Sequence, residues 1–532
     1  MPATQAEGDT MTSPIVPNVG ALVARAARWY ARHPAILTDD GRSISYAELE
    51  QRSNRLGNAL LGMGLSAGER VAVYLPNRPE IVELELACYK AALVKAPINS
   101  RLSAQETAAV LANSEARVLL TTPERADDVL PLLDSPAPML LLVDAPEHHP
   151  AAYERVLAAA GERLVAAEVR ADDLAVLHYT SGSTGTLKAA MQTFGNRLAQ
   201  MRKFLLRSDG MRPGERIGLV GPITHASGMQ IVPTLCSGAT VRLFRGFEPA
   251  RYLDGMRRDR VTHTFLVPTM INMLLGELQG RYLPLPDLKR LGYGAAPMAP
   301  ARIQQAMDVF GPVLAQGYGA GETTSGVCAL SVEDHLYARA ARPELLSSCG
   351  RPLLECDVRI VDDAGQEVPT GELGEIVVSG PDVFAGYWRA PALSAEVLKN
   401  GRYHTGDVAR MDDEGYVYIV DRKKDMVITG GFNVYPTEVE AVLYRHPAVA
   451  DACVFAVPDE KWGEAVAAHV VLKPGIAPEA AELDSFCAQH LGGFKRPRLV
   501  EFVEALPKNA NGKVARKTIQ DHYWQGHARR VN

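Results

Sequence analysis

Residues 179–188 most constrain what this chain can fold into. They read Tyr-Thr-Ser-Gly-Ser-Thr-Gly-Thr-Leu-Lys and follow directly on the apolar run 174–177, so the segment leaves a buried strand rather than joining two domains. Its two glycines allow close backbone approach to a ligand, its hydroxyls donate hydrogen bonds, and Lys188 adds a positive charge. Although a solvated Ser/Gly turn has a similar composition, this position predicts a loop that wraps a polyphosphate. The loop is not a Walker A element, because Lys188 comes three residues after Gly185 and is followed by Ala189.

Length, charge and cysteine content bound the class of the protein. With 532 residues, the chain can form two or more domains, and a net charge of −6 does not favour a nucleic-acid partner. Seven scattered cysteines without a C-x-x-C pair indicate neither a zinc site nor a disulfide framework, so we expect a reducing, cytoplasmic location. Residues 1–14 do not resemble a signal peptide, and no apolar run approaches the roughly 18 residues of a membrane span.

The first third of the chain alternates between helix and strand patterns. Ser45-x-x-Glu48 and Ser103-x-x-Glu106 are capping-box patterns, and the first opens a helix expected to end near Met63. A second helix should begin at Pro79 and reach about residue 93. Apolar runs at 71–75 and 118–121 are typical of buried strands. This alternation predicts an α/β sheet with helices on its faces.

Six further segments extend the pattern begun by the 179–188 loop. In chain order they are Gly-Pro-Ile-Thr-His-Ala-Ser-Gly-Met at 221–229, Gly-Tyr-Gly-Ala-Ala-Pro at 292–297, Gln-Gly-Tyr-Gly-Ala-Gly-Glu at 316–322, Tyr-His-Thr-Gly-Asp at 403–407, a long segment at 420–440, and Pro-Lys-Asn-Ala-Asn-Gly-Lys at 507–513. With the 179–188 loop they resemble, in order, the motifs of the adenylate-forming superfamily. That superfamily includes acyl-CoA synthetases, luciferases and peptide-synthetase adenylation domains. The resemblance runs from about residue 19 to residue 518.

The resemblance implies an α/β protein with two domains. Residues 1–421 would form a large N-terminal AMP-binding domain of two stacked α/β subdomains plus a β-rich subdomain. The β-rich part is expected at 350–420, where runs such as 358–361 and 375–379 alternate as strands do. Residues 422–532 would form a small, mobile α+β lid with its hinge near Lys424.

The resemblance also implies roles for individual residues. Glu322 would hold a magnesium ion at the phosphates, Tyr318 would lie against the base, and Asp407 and Arg422 would reach the ribose. The implied catalytic residues are Lys513, Glu322, Thr184 and Lys188; the other nucleotide-binding residues are Thr180, Ser181, Gly182, Ser183, Gly185, Gly294, Ala295, Ala296, Pro297, Tyr318, Gly319, Asp407 and Arg422. The substrate pocket would contain His225, as a gate, with Ser227, Gly228, Met229, Gly292 and Gly317; Lys424, Gly430 and Gly431 would serve the hinge and CoA.

These roles together imply an acid:CoA ligase that uses ATP, Mg²⁺ and coenzyme A and forms acyl-AMP before acyl-CoA. No acidic residue occurs between Gly221 and Cys236 to pair with a substrate ammonium, which favours a carboxylic acid without an α-amine. The small pocket residues permit a fatty, aryl or polycyclic acid.

Four positions depart from the family pattern. Leu187, Ala189 and Gln192 stand where proline, glycine and histidine are common, and Gly321 stands where a threonine usually precedes the magnesium glutamate. Nearby hydroxyls such as that of Thr323 could compensate, and we expect adenylation to persist because Lys188, Glu322, Asp407, Arg422 and Lys513 are all present.

Three other functions stay open. The enzyme could catalyse only one half-reaction, or load the phosphopantetheine of a carrier protein instead of CoA, or bind nucleotide without catalysis. A homodimer is also expected from the family, although no stretch of the sequence indicates an interface.

Overall fold

The computed structural model describes residues 13–134, 136–181, 187–207, 211–476, 478–509 and 513–525. Its strands are β1 (Ile15–Val16), β2 (Pro34–Leu37), β3 (Ser43–Ser45), β4 (Arg70–Val73), β5 (Val94–Pro97), β6 (Val118–Thr121), β7 (Met139–Leu142), β8 (Val169–Arg170), β9 (Leu174–Ser181), β10 (Leu187–Thr193), β11 (Arg216–Leu219), β12 (Thr240–Leu243), β13 (His263–Leu266), β14 (Arg290–Gly294), β15 (Leu314–Gly319), β16 (Gly326–Leu330), β17 (Arg351–Pro352), β18 (Asp357–Val361), β19 (Gly374–Ser379), β20 (Leu398–Lys399), β21 (Arg402–Met411), β22 (Val417–Arg422), β23 (Val427–Thr429), β24 (Phe432–Val434), β25 (Val449–Asp459), β26 (Gly463–Leu472) and β27 (Leu499–Phe502).

The α-helices lie mostly between these strands. They are α1 (Val19–Trp29), α2 (Tyr46–Gly62), α3 (Pro79–Lys90), α4 (Ala104–Ser114), α5 (Pro123–Val129), α6 (Tyr153–Ala158), α7 (Phe194–Arg207), α8 (Ile231–Cys236), α9 (Pro249–Arg258), α10 (Pro268–Leu278), α11 (Pro300–Phe310), α12 (Val332–Ala340), α13 (Pro391–Val397), α14 (Pro436–Leu443), α15 (Ala480–His490) and α16 (Arg516–Tyr523).

Two large mixed sheets form the body of the protein. The first has the strand order β10-β9-β5-β4-β6-β7 and the second β17-β16-β15-β14-β13-β11-β12-β2-β3. β4, β5 and β6 are parallel and almost wholly buried, as expected for strands covered on both faces. One hydrophobic cluster includes strand residues from both sheets, such as Val71 and Val241, together with the helices between them. The two sheets are therefore stacked, with helices as the shared layer.

Smaller sheets follow in the last third of the chain. β18, β19, β20, β21 and β22 form one antiparallel sheet around their own core, which confirms the β-rich region expected at 350–420. β23 to β27 form another sheet, whose core includes residues of α14 and α15. The fold class is confirmed as α/β with a small α+β C-terminal part. The boundary at 421/422 stays a prediction.

Local signals set several element ends. The Ser45 side chain accepts a hydrogen bond from the Glu48 backbone N–H, and the full reciprocal capping box forms at Ser103 and Glu106. The helix that begins at Pro79 was expected to reach about residue 93 and instead ends at Lys90. It stops there because Ala92 takes a left-handed conformation, with φ of 52°, and the Leu93 N–H then donates back to the Cys88 carbonyl, which closes the helix end.

Candidate active site

The candidate site lies where strands of the two large sheets end. β9 of the six-stranded sheet runs into residues 182–186, while β14 and β15 of the nine-stranded sheet end at Gly294 and Gly319. Ligands of open α/β sheets bind outside such carboxyl ends. The ends also meet in space, since a Cβ atom built on Gly321 would lie 3.0 Å from Cγ2 of Thr180.

The predicted phosphate loop is described at its two ends only. Gly182, Ser183, Thr184 and Gly185 lie outside the described residues, and Ser181 is described by its backbone alone. β9 and β10 pair antiparallel, with Thr180 opposite Lys188 and His178 opposite Ala190. Directly opposed residues share one face of a sheet, so Thr180, Lys188 and His178 lie on the same face.

Glu322, the predicted magnesium ligand, lies in a 3₁₀ turn (Gly321–Thr323) directly after β15. Its buried carboxylate accepts a 2.8 Å hydrogen bond from the Tyr387 hydroxyl, and its carbonyl accepts a 2.8 Å bond from the backbone N–H of Phe384. The Lys188 ammonium lies 5.6 Å from the centre of the Tyr387 ring. A carboxylate at the hydroxyl of one tyrosine and a cation over its ring thus define this corner of the site.

A magnesium ion suits this corner. Mg²⁺ prefers oxygen ligands and, in phosphate sites, is usually held by one or two carboxylates together with phosphate oxygens and water. Within the described residues, no group of three or more His, Cys, Asp and Glu side chains could hold a metal by itself. Glu322 therefore fits an ion that arrives with a triphosphate.

Asp407 lies at the centre of a second polar group. β21 and β22 pair so that Asp407 stands opposite Arg422, whose Nε donates to Oδ1 of Asp407 at 3.1 Å. The Tyr318 hydroxyl donates to Oδ2 at 2.5 Å. Burial, followed by the Asp407 charge, raises the pKa of Tyr318, so the phenol stays protonated and donates. The three predicted nucleotide-binding residues are thus brought together from three strands.

The glycines of β14 and β15 are needed for close packing. A Cβ atom on Gly294 would lie 2.2 Å from the Gly317 carbonyl oxygen, and one on Gly319 would lie 2.0 Å from the Ser325 carbonyl oxygen. Ala295 then takes a positive φ of 65°, which is uncommon for a residue with a side chain and recurs at ligand sites. The predicted nucleotide-binding residues Ala295, Ala296 and Pro297 therefore form a tight turn after β14.

The predicted pocket residues 225–229 follow β11. Gly228 packs against backbone, since a Cβ atom there would lie 1.8 Å from the Ile223 carbonyl oxygen, and Ser227 and Met229 are buried. Gly292 and Gly317 lie on the neighbouring strands β14 and β15. A cavity of about 10 Å³ adjoins His225, which is room for about one water molecule.

His178 is a site residue that sequence analysis misses. It is 7% exposed, and its ring lies 5.4 Å from that of His225 in an edge-to-face arrangement. Burial, followed by the charges of His225, Arg197 and Lys95, holds the pKa of His178 well below its usual range. Burial, followed by the charge of Lys513, lowers the pKa of His225 to about 4. Both imidazoles are neutral at neutral pH. The available signal was a histidine two residues before Thr180, on the same face of the strand.

Four cations from three segments converge on the two carboxylates. The Lys513 side chain is exposed as a whole, but burial at its ammonium end is the main cause that lowers its pKa to about 8. The Arg422 charge lowers that pKa further, while Asp407 and Glu322 oppose. The Lys424 side chain is likewise exposed as a whole, but burial around its ammonium group lowers its pKa to about 8, with help from Arg422 and Lys188, while Asp425 and Asp407 oppose. This local excess of positive charge is what a polyphosphate site requires.

Gly430 and Gly431 form the turn between β23 and β24. Both have positive φ, 57° and 84°, as a two-residue hairpin turn of this kind requires. The Gly430 N–H donates to the Trp462 carbonyl at 2.9 Å, and a Cβ atom on Gly430 would meet the Trp462 ring at 2.6 Å. Their proposed contact with CoA stays a prediction.

The expectation that Thr323 compensates for Gly321 is wrong. The Thr323 hydroxyl accepts a 2.9 Å bond from the Ala320 N–H and donates to the Ser325 carbonyl at 2.7 Å. These bonds hold it inside the turn, so it is not available to a substrate. The Thr324 hydroxyl is likewise occupied, because it donates to the Asp382 carbonyl at 2.7 Å.

Two protein-family models match this chain. The model of the AMP-binding enzyme family matches residues 23–388, and that of the AMP-binding enzyme C-terminal domain matches residues 438–513. The chain belongs to the AMP-binding enzyme family. The resemblance found in the sequence is thereby confirmed.

Relatives of this family member align along almost their whole length. A feruloyl-CoA synthase from Amycolatopsis sp is 39% identical over 507 residues, which cover 95% of this chain and 99% of that protein. The medium/long-chain-fatty-acid–CoA ligase FadD8 of Mycobacterium tuberculosis is 34% identical, over 98% of this chain and 93% of that protein. The structure of o-succinylbenzoate coenzyme A synthetase (MenE) from Bacillus subtilis, in complex with ATP and a magnesium ion, superposes with a TM-score of 0.82. It is 29% identical and covers 95% of this chain and 99% of that one.

Proposed function

We propose that this AMP-binding enzyme is an ATP-dependent acid:CoA ligase that forms acyl-AMP and then acyl-CoA. The observation that carries the proposal is the convergence of Lys188, Arg422, Lys424 and Lys513 on Glu322 and Asp407. These residues lie in the segments from which the sequence predicts an ATP site. Relatives named for acyl-CoA formation match 93–99% of their own length, which supports the same chemistry here.

In the first half-reaction, an oxygen of the substrate carboxylate attacks the α-phosphorus of ATP. The bond from that phosphorus to the bridging oxygen breaks, and pyrophosphate leaves with the electron pair. Lys513 and Lys188 stabilise the negative charge that builds on the phosphate oxygens, and Asp407 orients the ribose. A magnesium ion bound with the triphosphate at Glu322 would neutralise phosphate charge.

In the second half-reaction, the CoA thiolate attacks the acyl carbonyl and AMP leaves with the bonding electrons. We propose that the C-terminal part turns about Lys424 between the two steps, which would withdraw Lys513 and present the Gly430–Gly431 turn. Such domain closure is a common way to reuse one site for two reactions. Each of the seven cysteines is a free thiol, but this route needs no enzyme nucleophile.

The proposed substrate is a carboxylic acid without an α-amine, of the fatty, aryl or polycyclic class. Residues 221–236 contain no acidic side chain to pair with a substrate ammonium, and an ammonium is costly to bury without such a partner.

We also propose a cytoplasmic location, because a reducing compartment maintains free thiols such as these seven. Within the described residues, no helix is long and apolar enough to cross a membrane. A homodimer stays a prediction that light scattering can test.

The test is product analysis with ATP, Mg²⁺ and a panel of fatty, aryl and polycyclic acids, with and without CoA. Mass spectrometry should find acyl-AMP without CoA, and AMP plus acyl-CoA with it, for one class of acid. Acyl-AMP without any thioester would instead favour an adenylating enzyme with another acceptor, such as a carrier protein. Nucleotide binding without either product would favour a non-catalytic role.

A further inference from the structure

The ring of His178 occupies the space next to Gly321. A Cβ atom on Gly321 would lie 2.5 Å from Cδ2 and 3.3 Å from Nε2 of His178, so a side chain at position 321 requires the imidazole to move. The His178 imidazole can therefore occupy this position only because residue 321 has no side chain.

The backbone around this contact is fixed on both sides. Leu177 and Tyr179 face one hydrophobic core, which leaves the alternate residues His178 and Thr180 on the opposite face of β9. On the facing strand, the fully buried Gln192 donates from Nε2 to the Gly321 carbonyl at 2.9 Å. The imidazole is thus held beside the residue that precedes Glu322.

The ring nitrogens of His178 have no hydrogen-bond partner among the described residues, although the side chain is 93% buried. Neither ring nitrogen is among the fully buried unpaired side-chain atoms of the described residues, so the ring keeps some contact with the space around it. The ring borders the small cavity that His225 also lines. The nitrogens are therefore placed for a ligand or a water, between Thr180, Gly321 and His225.

Several polar groups near Gly321 are already bonded. The hydroxyls of Thr323 and Thr324 are both bonded to backbone carbonyls, and Gln192 is bonded to Gly321 itself. Within the described residues, His178 and Thr180 are the side chains next to Gly321 that have no hydrogen-bond partner, and His178 is the one that a Cβ atom at 321 would approach most closely.

We propose that His178 contacts the substrate at the reacting carboxylate or α-phosphate and donates a hydrogen bond to it during acyl-AMP formation, in the space that a side chain at 321 would otherwise fill. This inference rests on the proposed function. The imidazole donates with one ring N–H and keeps its proton throughout, so it changes neither the atoms nor the electrons of the reaction. In the second half-reaction the same phosphate gains charge again as AMP leaves, so a contact to the phosphate would act in both steps, whereas a contact to the attacking carboxylate would act in the first step alone.

The test measures the two half-reactions separately in His178 variants. His178→Ala removes the donor, and His178→Phe removes it while keeping a ring against His225. Each should lower the rate of acyl-AMP formation roughly tenfold to a hundredfold, which is the usual effect of losing one hydrogen bond to a charged group. Thioester formation from synthetic acyl-AMP and CoA, measured on the same variants, assigns the bond: a similar loss indicates the phosphate as its acceptor, and a clearly smaller loss indicates the attacking carboxylate.

Reciprocal variants separate a substrate contact from packing. Gly321→Thr alone should be impaired, since it collides with the imidazole. H178A/G321T restores both volume and a hydroxyl and should recover most of the lost rate, whereas H178A/G321V restores volume without a hydroxyl and should not. The melting temperature and AMP binding of each variant report whether the site is folded.

Two results would overturn the proposal. They are near-normal acyl-AMP formation by folded His178→Phe, and equal rescue by H178A/G321V and H178A/G321T. Failure of the proposed function looks different, because the unmodified protein would then form no acyl-AMP from any acid.

Discussion

At the residue scale, Asp407 links the nucleotide side of the site to the C-terminal part. It accepts from the Tyr318 hydroxyl and from Arg422, both at hydrogen-bond distance. Asp407→Asn removes a charge that two donors share and that would accept from a ribose. We expect KM for ATP to rise roughly tenfold to a hundredfold, as losing one charged hydrogen bond of about 1.5–3 kcal/mol predicts.

Asp413→Asn is the matched control, because Asp413 is an exposed residue in the turn between the same two strands. It should leave KM for ATP unchanged. Steady-state kinetics of both variants give the two KM values for ATP. Equal values would show that Asp407 does not contact the nucleotide.

Lys513 should give the first half-reaction a characteristic pH dependence. Its pKa is lowered to about 8, so its ammonium is charged below that pH and neutral above it. Because the positive charge is the form that stabilises the phosphates, kcat/KM for ATP in acyl-AMP formation should fall as pH rises through about 8.

Thioester formation from supplied acyl-AMP should lack this limb. Lys513→Ala should remove the limb and slow acyl-AMP formation roughly a hundredfold or more, which is the usual effect of deleting one charge-stabilising donor. A limb near pH 8 that survives in Lys513→Ala would assign it to another group, such as Lys424, whose pKa is also about 8.

Sequence analysis identifies site residues that lie within a sequence motif. It misses residues whose role depends on contacts with parts of the chain that are distant in sequence. The sequence predicts the group formed by Tyr318, Asp407 and Arg422, because each of these residues lies in a recognisable sequence motif. His178 was not predicted, since it continues an apolar run and its importance comes from a residue 143 positions away in sequence (321 − 178). The same holds for Thr323, because its hydroxyl donates to the Ser325 carbonyl within a turn that the sequence does not predict.

At the element scale, helix α7 supports the loop that holds Glu322. Lys203 on α7 forms a buried ion pair with Asp382, and Asn196 donates to the carbonyls of Pro381 and Val383 at 2.8 and 2.9 Å. The same loop supplies the Phe384 N–H that bonds the Glu322 carbonyl. The position of the proposed magnesium ligand therefore depends on this helix.

Lys203→Met should destabilise the protein strongly, because it leaves the fully buried Asp382 carboxylate without its cation. Breaking a buried pair in this way costs about 3–5 kcal/mol of unfolding free energy. Urea unfolding measures it.

The neighbouring Arg202→Met is the control. Arg202 pairs with Glu355 at 3.1 Å on the exposed side of the same helix, and such surface pairs contribute about 1 kcal/mol or less. Equal destabilisation by the two substitutions would contradict the structural role given to Lys203.

Element ends were predictable where a side chain marks them. Ser45, Ser103 and Pro79 begin helices as expected. Element ends that depend on pairing with another strand were not predictable. The apolar run ends at residue 177, but β9 continues to Ser181 because it pairs with β10 along its whole length.

At the scale of the whole molecule, the C-terminal part places Lys513 in reach of the nucleotide residues, which is the arrangement suited to the first half-reaction. Arg422, Lys423 and Lys424 have exposed side chains at the proposed hinge. We expect trypsin to cut there in the free protein, since linkers between domains are preferred cleavage sites.

A non-hydrolysable acyl-AMP analogue should slow this cut several-fold by holding the C-terminal part against the site. Fragment masses over time give the result, and cuts at other sites serve as the internal control. Cleavage at 422–424 that ignores the analogue would argue against a hinge at Lys424.

The most direct measurement follows oxygen from the acid into the nucleotide. A substrate acid labelled with oxygen-18 in its carboxylate is incubated with ATP, Mg²⁺ and CoA. The masses of AMP and pyrophosphate are then measured by mass spectrometry. If the carboxylate attacks the α-phosphorus, AMP carries one labelled oxygen and pyrophosphate carries none. Label in pyrophosphate, or ADP as the nucleotide product, would contradict acyl-AMP formation and with it the two-step account of this protein.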